Sequence, residues 1–230
     1  MAGDLTSDPV RLAIAICPLA AYLALIGFIN LRRGPFITSG GRDTLALAIG
    51  LSGLAMIGPL ALMMPSWSAS YYGAYAWPMM LFLYFLMVTF FNLIRRPRIV
   101  VYNTTIKNMR PLLREVADGL DPTARWAGET LFLPSLQLHL IMEEDYGTRN
   151  VLIKSVGPRQ DLGGWRQLEL SLVQAARQHA RQTINPYGIF LLVVGAFMLL
   201  SVCMQVYVHG DFVDSFQHDF YLDLNVDPDF

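Results

Sequence analysis

Residues 12–31 read LAIAICPLAAYLALIGFINL, without one charged side chain. A helix of that length, rising about 1.5 Å per residue, reaches across the ~30 Å of hydrocarbon in a bilayer. Pro18 would break such a helix in water, but in lipid neighbouring helices satisfy the freed carbonyl, so the stretch reads as a kinked span. It follows an acidic start with no basic n-region, which predicts a retained signal anchor rather than a cleaved leader.

Three further stretches have the same character, at about 45–64, 73–94 and 187–208. The fold class expected is an α-helical integral membrane protein with four transmembrane helices, plus a small α+β domain on the cytoplasmic side. This divides the chain into a membrane region (1–94), a cytoplasmic domain (97–184), a fourth span (187–208) and a tail (209–230). Pro9, Pro78 and Pro186 sit at or near helix starts, and Asn185 before Pro186 reads as an N-cap followed by a first-turn proline.

Charge sets the expected orientation. Arg32, Arg33 and Arg42 follow the first span, Arg95, Arg96 and Arg98 follow the third, and Arg177 and Arg181 precede the fourth. Basic residues mark the cytoplasmic side. Of the 17 basic residues only Arg11 falls outside, so the formal net charge of -1 conceals a basic inside and an acidic outside. Both termini are expected outside the cytoplasm, in the manner of a bacterial inner-membrane protein.

The spans carry no Asp, Glu, Lys, Arg or His. Intramembrane charges mark ion paths and proton relays, so a proton-coupled pump built from this chain alone is disfavoured. Ser52, Thr89, Asn92, Ser201 and Gln205 are the polar residues singled out, expected to join helices or lie near the interface. Cys17 and Cys203 fall inside spans and behave as small apolar residues. Ala13, Cys17, Ala20, Ala21 and Ala24, with Ala46, Gly50 and Gly53, form rows that allow close backbone approach. The rows suit packing within the chain or against a partner's helices.

Between 97 and 184 hydropathy falls and a domain pattern begins. The β-branched run Arg98–Tyr102 reads as a strand; a helix then runs to about Leu120, with Leu112, Leu113, Val116 and Leu120 as its stripe and Pro111 in its first turn. Strands follow at 130–133 and 136–142, where Leu136, Leu138 and Leu140 alternate with Gln137 and His139. An acidic turn at 143–147 leads to a strand at 150–156. A last helix, about 164–182, aligns Trp165, Leu168, Leu172, Ala175 and Ala176. The order β-α-β-β-β-α predicts helices on one face of a mainly antiparallel sheet.

That domain has no cysteine and two histidines, His139 and His179, so neither a Cys/His nucleophile pair nor a multi-histidine metal site can be assembled in one copy. Gly157, Gly163 and Gly164 match no phosphate-loop spacing. His139 reads as a polar-face residue, Glu143, Glu144 and Asp145 as a solvated turn, and Trp126 and Trp165 as core or edge anchors. The basic excess is too small for nucleic acid. Arg95, Arg96, Arg98, Arg166, Arg177 and Arg181 suit the topology signal and anionic headgroups.

Outside, Trp67, Tyr71, Tyr72, Tyr75 and Trp77 read as an interfacial aromatic belt, or as a stacking platform without the polar partners a glycan needs. In the tail, Asp211, Asp214, Asp219, Asp223, Asp227 and Asp229 alternate with Phe212, Phe216, Phe220 and Tyr221, a pattern suited to a protein partner, the alternative being a solvated tail with none. His209, Asp211, Asp214 and His218 have zinc-ligand chemistry if helical; Asp223, Asn225, Asp227 and Asp229 resemble calcium ligands only by composition. No catalytic, cofactor-binding or metal residue is assigned, and no cofactor is expected.

The function these features predict is non-enzymatic: an interaction, scaffold or regulatory subunit of a cell-envelope assembly, in contact with membrane lipid and a membrane-protein partner or second copy. The alternatives are an oligomeric transport or channel component, and an enzyme acting on lipid-linked substrates.

Overall fold

The computed structural model describes residues 9–32, 34–60, 75–145, 149–157, 161–178 and 186–208. Its chain order is α1 (Pro9–Leu31), β1 (Phe36–Ser39), α2 (Gly40–Ala55), α3 (Ala76–Ile94), β2 (Arg98–Tyr102), α4 (Ile106–Leu120), β3 (Arg125–Ala127), β4 (Thr130–Leu133), β5 (Leu138–Asp145), β6 (Asn150–Ser155), α5 (Leu162–Gln178) and α6 (Pro186–Val208).

Among the described residues, three helical segments are long and apolar enough to cross a membrane: Leu12–Leu31 of α1, Ala76–Ile94 and Pro186–Val208. The second predicted span differs. α2 begins at Gly40, within the basic loop, and its α-helical geometry ends after 16 residues at Ala55. Sixteen residues rise only ~24 Å. A π-helical turn, Met56–Leu60, follows. It contains Pro59, which has no N–H to donate to the Ala55 carbonyl four residues back, so α-geometry stops there. Positions 61–64 of the predicted span lie outside the described residues, as do 73 and 74.

The chain divides into two compact units, the first holding 1–25, 46–91 and 192–230, the second 26–45 and 92–191. In the first, the small-residue rows pack helices of this chain together. A Cβ on Gly53 would overlap the Ile14 carbonyl oxygen, and one on Gly50 would overlap the Tyr22 side chain, so α1 and α2 approach backbone to backbone. Ala20 is fully buried, and a Cβ on Gly195 of α6 would come within 3.0 Å of its carbonyl. The Tyr84 hydroxyl donates to the Ala48 carbonyl at 2.9 Å, tying α3 to α2. Cys17 and Cys203 are both free thiols.

The second unit is built on a six-stranded sheet in the order β1-β2-β6-β5-β4-β3, antiparallel at every pairing. One face carries Ile37, Ile99, Val101, Val151, Ile153, Leu140 and Leu131 in cross-strand register. It is sealed by Met109, Leu112, Leu113, Val116 and Ala117 of α4 and by Trp165, Leu168, Leu172 and Ala176 of α5. The amphipathic stripes of the two helices therefore cover one sheet face as expected. On the opposite face Val100 and Tyr102 are buried with Ile29 from the end of α1, and Ile26, Phe36 and Leu152 pack beside them.

Several local expectations are corrected. β1 lies outside the 97–184 segment, in the first basic loop, yet it pairs residue for residue with β2, Ile37 opposite Val101. β3 is also an added strand, joined to β4 by a tight turn in which Gly128 has φ +65°, a conformation glycine adopts without a Cβ clash. β5 starts two residues later than predicted, because Leu136 belongs to a 3-10 turn, Pro134–Leu136, and Gln137 is left-handed at φ +51°. It then runs on through Glu143, Glu144 and Asp145, which pair with Leu152, Val151 and Asn150 instead of forming a turn. Pro111 sits in the second turn of α4 rather than the first. It is exposed, so water can take the Lys107 carbonyl that its missing N–H leaves unpaired. The predicted helix residues 179–182 lie outside the described residues.

Candidate functional site

The most concentrated polar chemistry in the sheet unit lies where β1, the first turn of α2, and β2 meet. The Tyr102 hydroxyl donates to the Asp43 carboxylate. The Arg98 guanidinium donates to the Thr44 hydroxyl at 3.2 Å and approaches Asp43 at 4.0 Å. Thr44 in turn donates to the Gly40 carbonyl at 2.8 Å. A side chain at Gly40 would collide with the Arg98 stem, so this glycine makes the crossing possible. Asp43 lies in the first turn of α2, where a negative charge complements the helix dipole. Asn92, at the end of α3, donates to the Gly41 carbonyl at 3.1 Å.

A second fastening involves Asn103, fully buried and left-handed at φ +56°, a region that asparagine enters more readily than most side chains. Its amide donates to the Arg32 carbonyl at 2.7 Å, and its backbone N–H points to the Asn150 side-chain oxygen at 3.4 Å. Together these bonds fix the loop after α1 against the start of β6.

Beside that loop, Arg32, Gly34, Pro35, Phe36 and Ile37 face Val173, Ala176 and Arg177 of α5 across a cavity of about 420 Å³. Its lining includes Arg32 and Arg177 and, among the described residues, no side chain able to act as nucleophile or general base at neutral pH. The chemistry available there is recognition of an anion with an apolar portion.

Elsewhere the predicted polar residues serve structure. Asn92 joins α3 to α2, one of the two roles expected of it, whereas Ser52 and Ser201 donate to carbonyls of their own helices at Ile49 and Phe197. Asn30, which the sequence reading passes over, is buried at the end of α1 and donates to the Ile26 carbonyl at 2.9 Å. Arg95, Arg96 and Arg166 are exposed. His139 is exposed at strand level and meets the Phe132 ring edge-on at 4.7 Å. Trp165 is in the core, and Trp126 packs at its edge beneath the Arg110 guanidinium, 5.3 Å from the ring centre. Lys154 and Glu143 form a cross-strand ion pair. His179, Arg181, the loop residues Trp67, Tyr71 and Tyr72, and the tail with its candidate metal ligands lie outside the described residues. Among the described residues no three His, Cys, Asp or Glu side chains come close enough to hold a metal ion.

Asp121 is the strongest electrostatic feature. Fully buried at the end of α4, it accepts from the Thr123 N–H (2.9 Å), the Thr123 hydroxyl (2.6 Å) and the Ser135 N–H (2.9 Å). The bonds from Ser135 and Thr123 outweigh desolvation and hold its carboxyl well below the usual carboxylate range. Two hold the turn at 121–123 and the third ties it to the 3-10 turn Pro134–Leu136, so its role is structural.

Comparison with protein-family models, characterised proteins and solved structures finds no match to this chain. Function rests on the geometry.

Proposed function

We propose that this chain is a four-span protein of a bacterial inner membrane, with both termini outside the cytoplasm, acting as a non-enzymatic interaction or regulatory subunit of a cell-envelope assembly. In this reading the remaining span is 45–64, beginning within α2 after its charged first turn. The sheet unit is cytoplasmic, membrane lipid is one neighbour, and the partner is a membrane protein or a second copy.

One observation carries the reading: the first turn of α2 is hydrogen-bonded to β2 through Asp43, Thr44, Arg98 and Tyr102, while Asn92 ties the end of α3 to α2. A sheet fastened to helix ends suits coupling, because a partner that bears on the sheet also bears on them. Charge-assisted bonds of this kind contribute about 1.5–3 kcal/mol each when buried, less at the partial exposure found here.

The test is purification of the full-length protein from its own cells in mild detergent, with quantitative mass spectrometry and a measured mass for the particle. A stoichiometric membrane partner, or a defined homo-oligomer, retained by the wild type and lost from Asp43→Asn/Arg98→Gln is the expected result. A monomer recovered alone from both would overturn it and leave transport or lipid-linked chemistry as the better readings.

A further inference from the structure

We infer that the cavity between β1 and α5 binds the phosphate-bearing headgroup of an anionic phospholipid. Arg32 and Arg177 are both exposed, and neither has an ion-pair partner among the described residues. Glu169, an acidic residue of α5 two turns before Ala176, is taken up by Arg42 at 3.4 Å, so it does not neutralise the site. Among the described residues the cavity lining contains no carboxylate. Guanidinium groups match phosphate oxygens in a planar, bidentate fork, which makes phosphate the natural anion.

The rest of the lining is apolar. Phe36, Ile37, Val173 and Ala176 form walls suited to a glycerol backbone and the first methylenes of an acyl chain rather than to a free ion. A volume of about 420 Å³ is ample for such a group, ligand pockets commonly running from ~300 to ~1,000 Å³.

Depth gives the source of the phosphate. Arg32 is the residue immediately after the membrane-length segment Leu12–Leu31. If that segment spans the bilayer, the cavity wall begins at the level of the headgroups, where an anionic lipid is at its highest local concentration. The site is also held ready, because Asn103 grips the Arg32 carbonyl from within the protein. Asn103 is a positioning residue there and the two arginines are the contacts.

The test uses the full-length protein in an uncharged detergent, stripped of lipid and titrated by calorimetry with dihexanoyl phosphatidylglycerol. Parallel titrations use dihexanoyl phosphatidylcholine and inorganic phosphate. One saturable site for phosphatidylglycerol is expected, at least tenfold weaker in Arg32→Gln/Arg177→Gln and in Val173→Trp, and unchanged in Arg95→Gln/Arg96→Gln, which removes equal charge outside the cavity. Near-ultraviolet circular dichroism establishes that each variant is folded, and Val173→Trp keeps both charges if the double variant is not. Equal binding by all variants, or equal loss in Arg95→Gln/Arg96→Gln, would overturn the site. Inorganic phosphate binding as tightly as the lipid would make the ligand a free anion, and phosphatidylcholine doing so would remove the anionic preference; either result overturns the inference. The inference rests on α1 as a membrane span but not on the interaction role. Because the probe lipid is presented in solution, its failure to bind leaves topology and partnership to be judged separately.

Discussion

The two units bury opposite kinds of residue. In the sheet unit most of the fully buried apolar side chains are large: Leu113, Leu133, Leu138, Leu140, Leu168 and Leu172 have essentially no exposure. In the helical unit the buried residues include Ala15, Ala20, Ala48 and Ala76, while Phe82, Leu86, Phe90, Phe197 and Leu200 point outward. The inversion is the pattern that two different solvents, water and lipid, would produce. Water drives large apolar side chains inward at about 25 cal/mol per Å². Lipid gives no such drive, so helices associate where glycine and alanine let backbones touch, and the large side chains face the tails.

Substitutions break the comparison in opposite ways. The largest effect is expected for Leu168→Ala, which opens a cavity at a site with no exposure and should cost about 2–5 kcal/mol; denaturant unfolding followed by far-ultraviolet dichroism measures it. The same truncation of outward-facing Phe82 should leave the helical unit's melting unchanged in detergent. Gly53→Val comes next, since any side chain there strikes the Ile14 carbonyl, and overpacking of this kind costs about 1–3 kcal/mol. Loss of monodisperse folded protein on size-exclusion chromatography is the readout.

Asp121→Asn should lower the melting temperature of the sheet unit at neutral pH. The sign follows from the depressed carboxyl. Its stabilising contribution is complete above the ordinary carboxylate range and is lost as pH falls from about 4 towards the folded value, so the gap between wild type and variant should narrow on acidification. A melting series from pH 7 to pH 3 checks this. A small effect, and the only gain, is expected for Gly119→Ala in α4, where nothing lies within 4 Å of an added Cβ. Replacing a helical glycine should add about 0.5–1 kcal/mol, in contrast to the loss at Gly53.

The apolar segments of α1, α3 and α6 were legible in the sequence because twenty-residue runs leave few alternatives. The stripes of α4 and α5 were legible for the same reason of periodicity. β1 and β3 were not, since four and three residues are too few to show alternation, and FITS gains its meaning only from β2, far along the chain. Pairing also overrode composition at Glu143–Asp145, where β6 extends a strand that acidic residues would not announce. The cavity was out of reach for a related reason. In the sequence Arg177 suits a headgroup contact and Arg32 a topology signal, and only the placement of β1 against α5 brings them to one opening.

That early strand has a consequence for how the protein is made. β1 leaves the ribosome about 60 residues before β2, its neighbour in the sheet, which at ~5–20 residues per second is a wait of several seconds. During that interval α3 is still being synthesised. Four residues bounded by Gly34-Pro35 and Gly40-Gly41, with Arg32, Arg33 and Arg42 close by, are a poor template for aggregation with other chains. Completion of the sheet is therefore a late event, deferred until the third apolar helix has emerged.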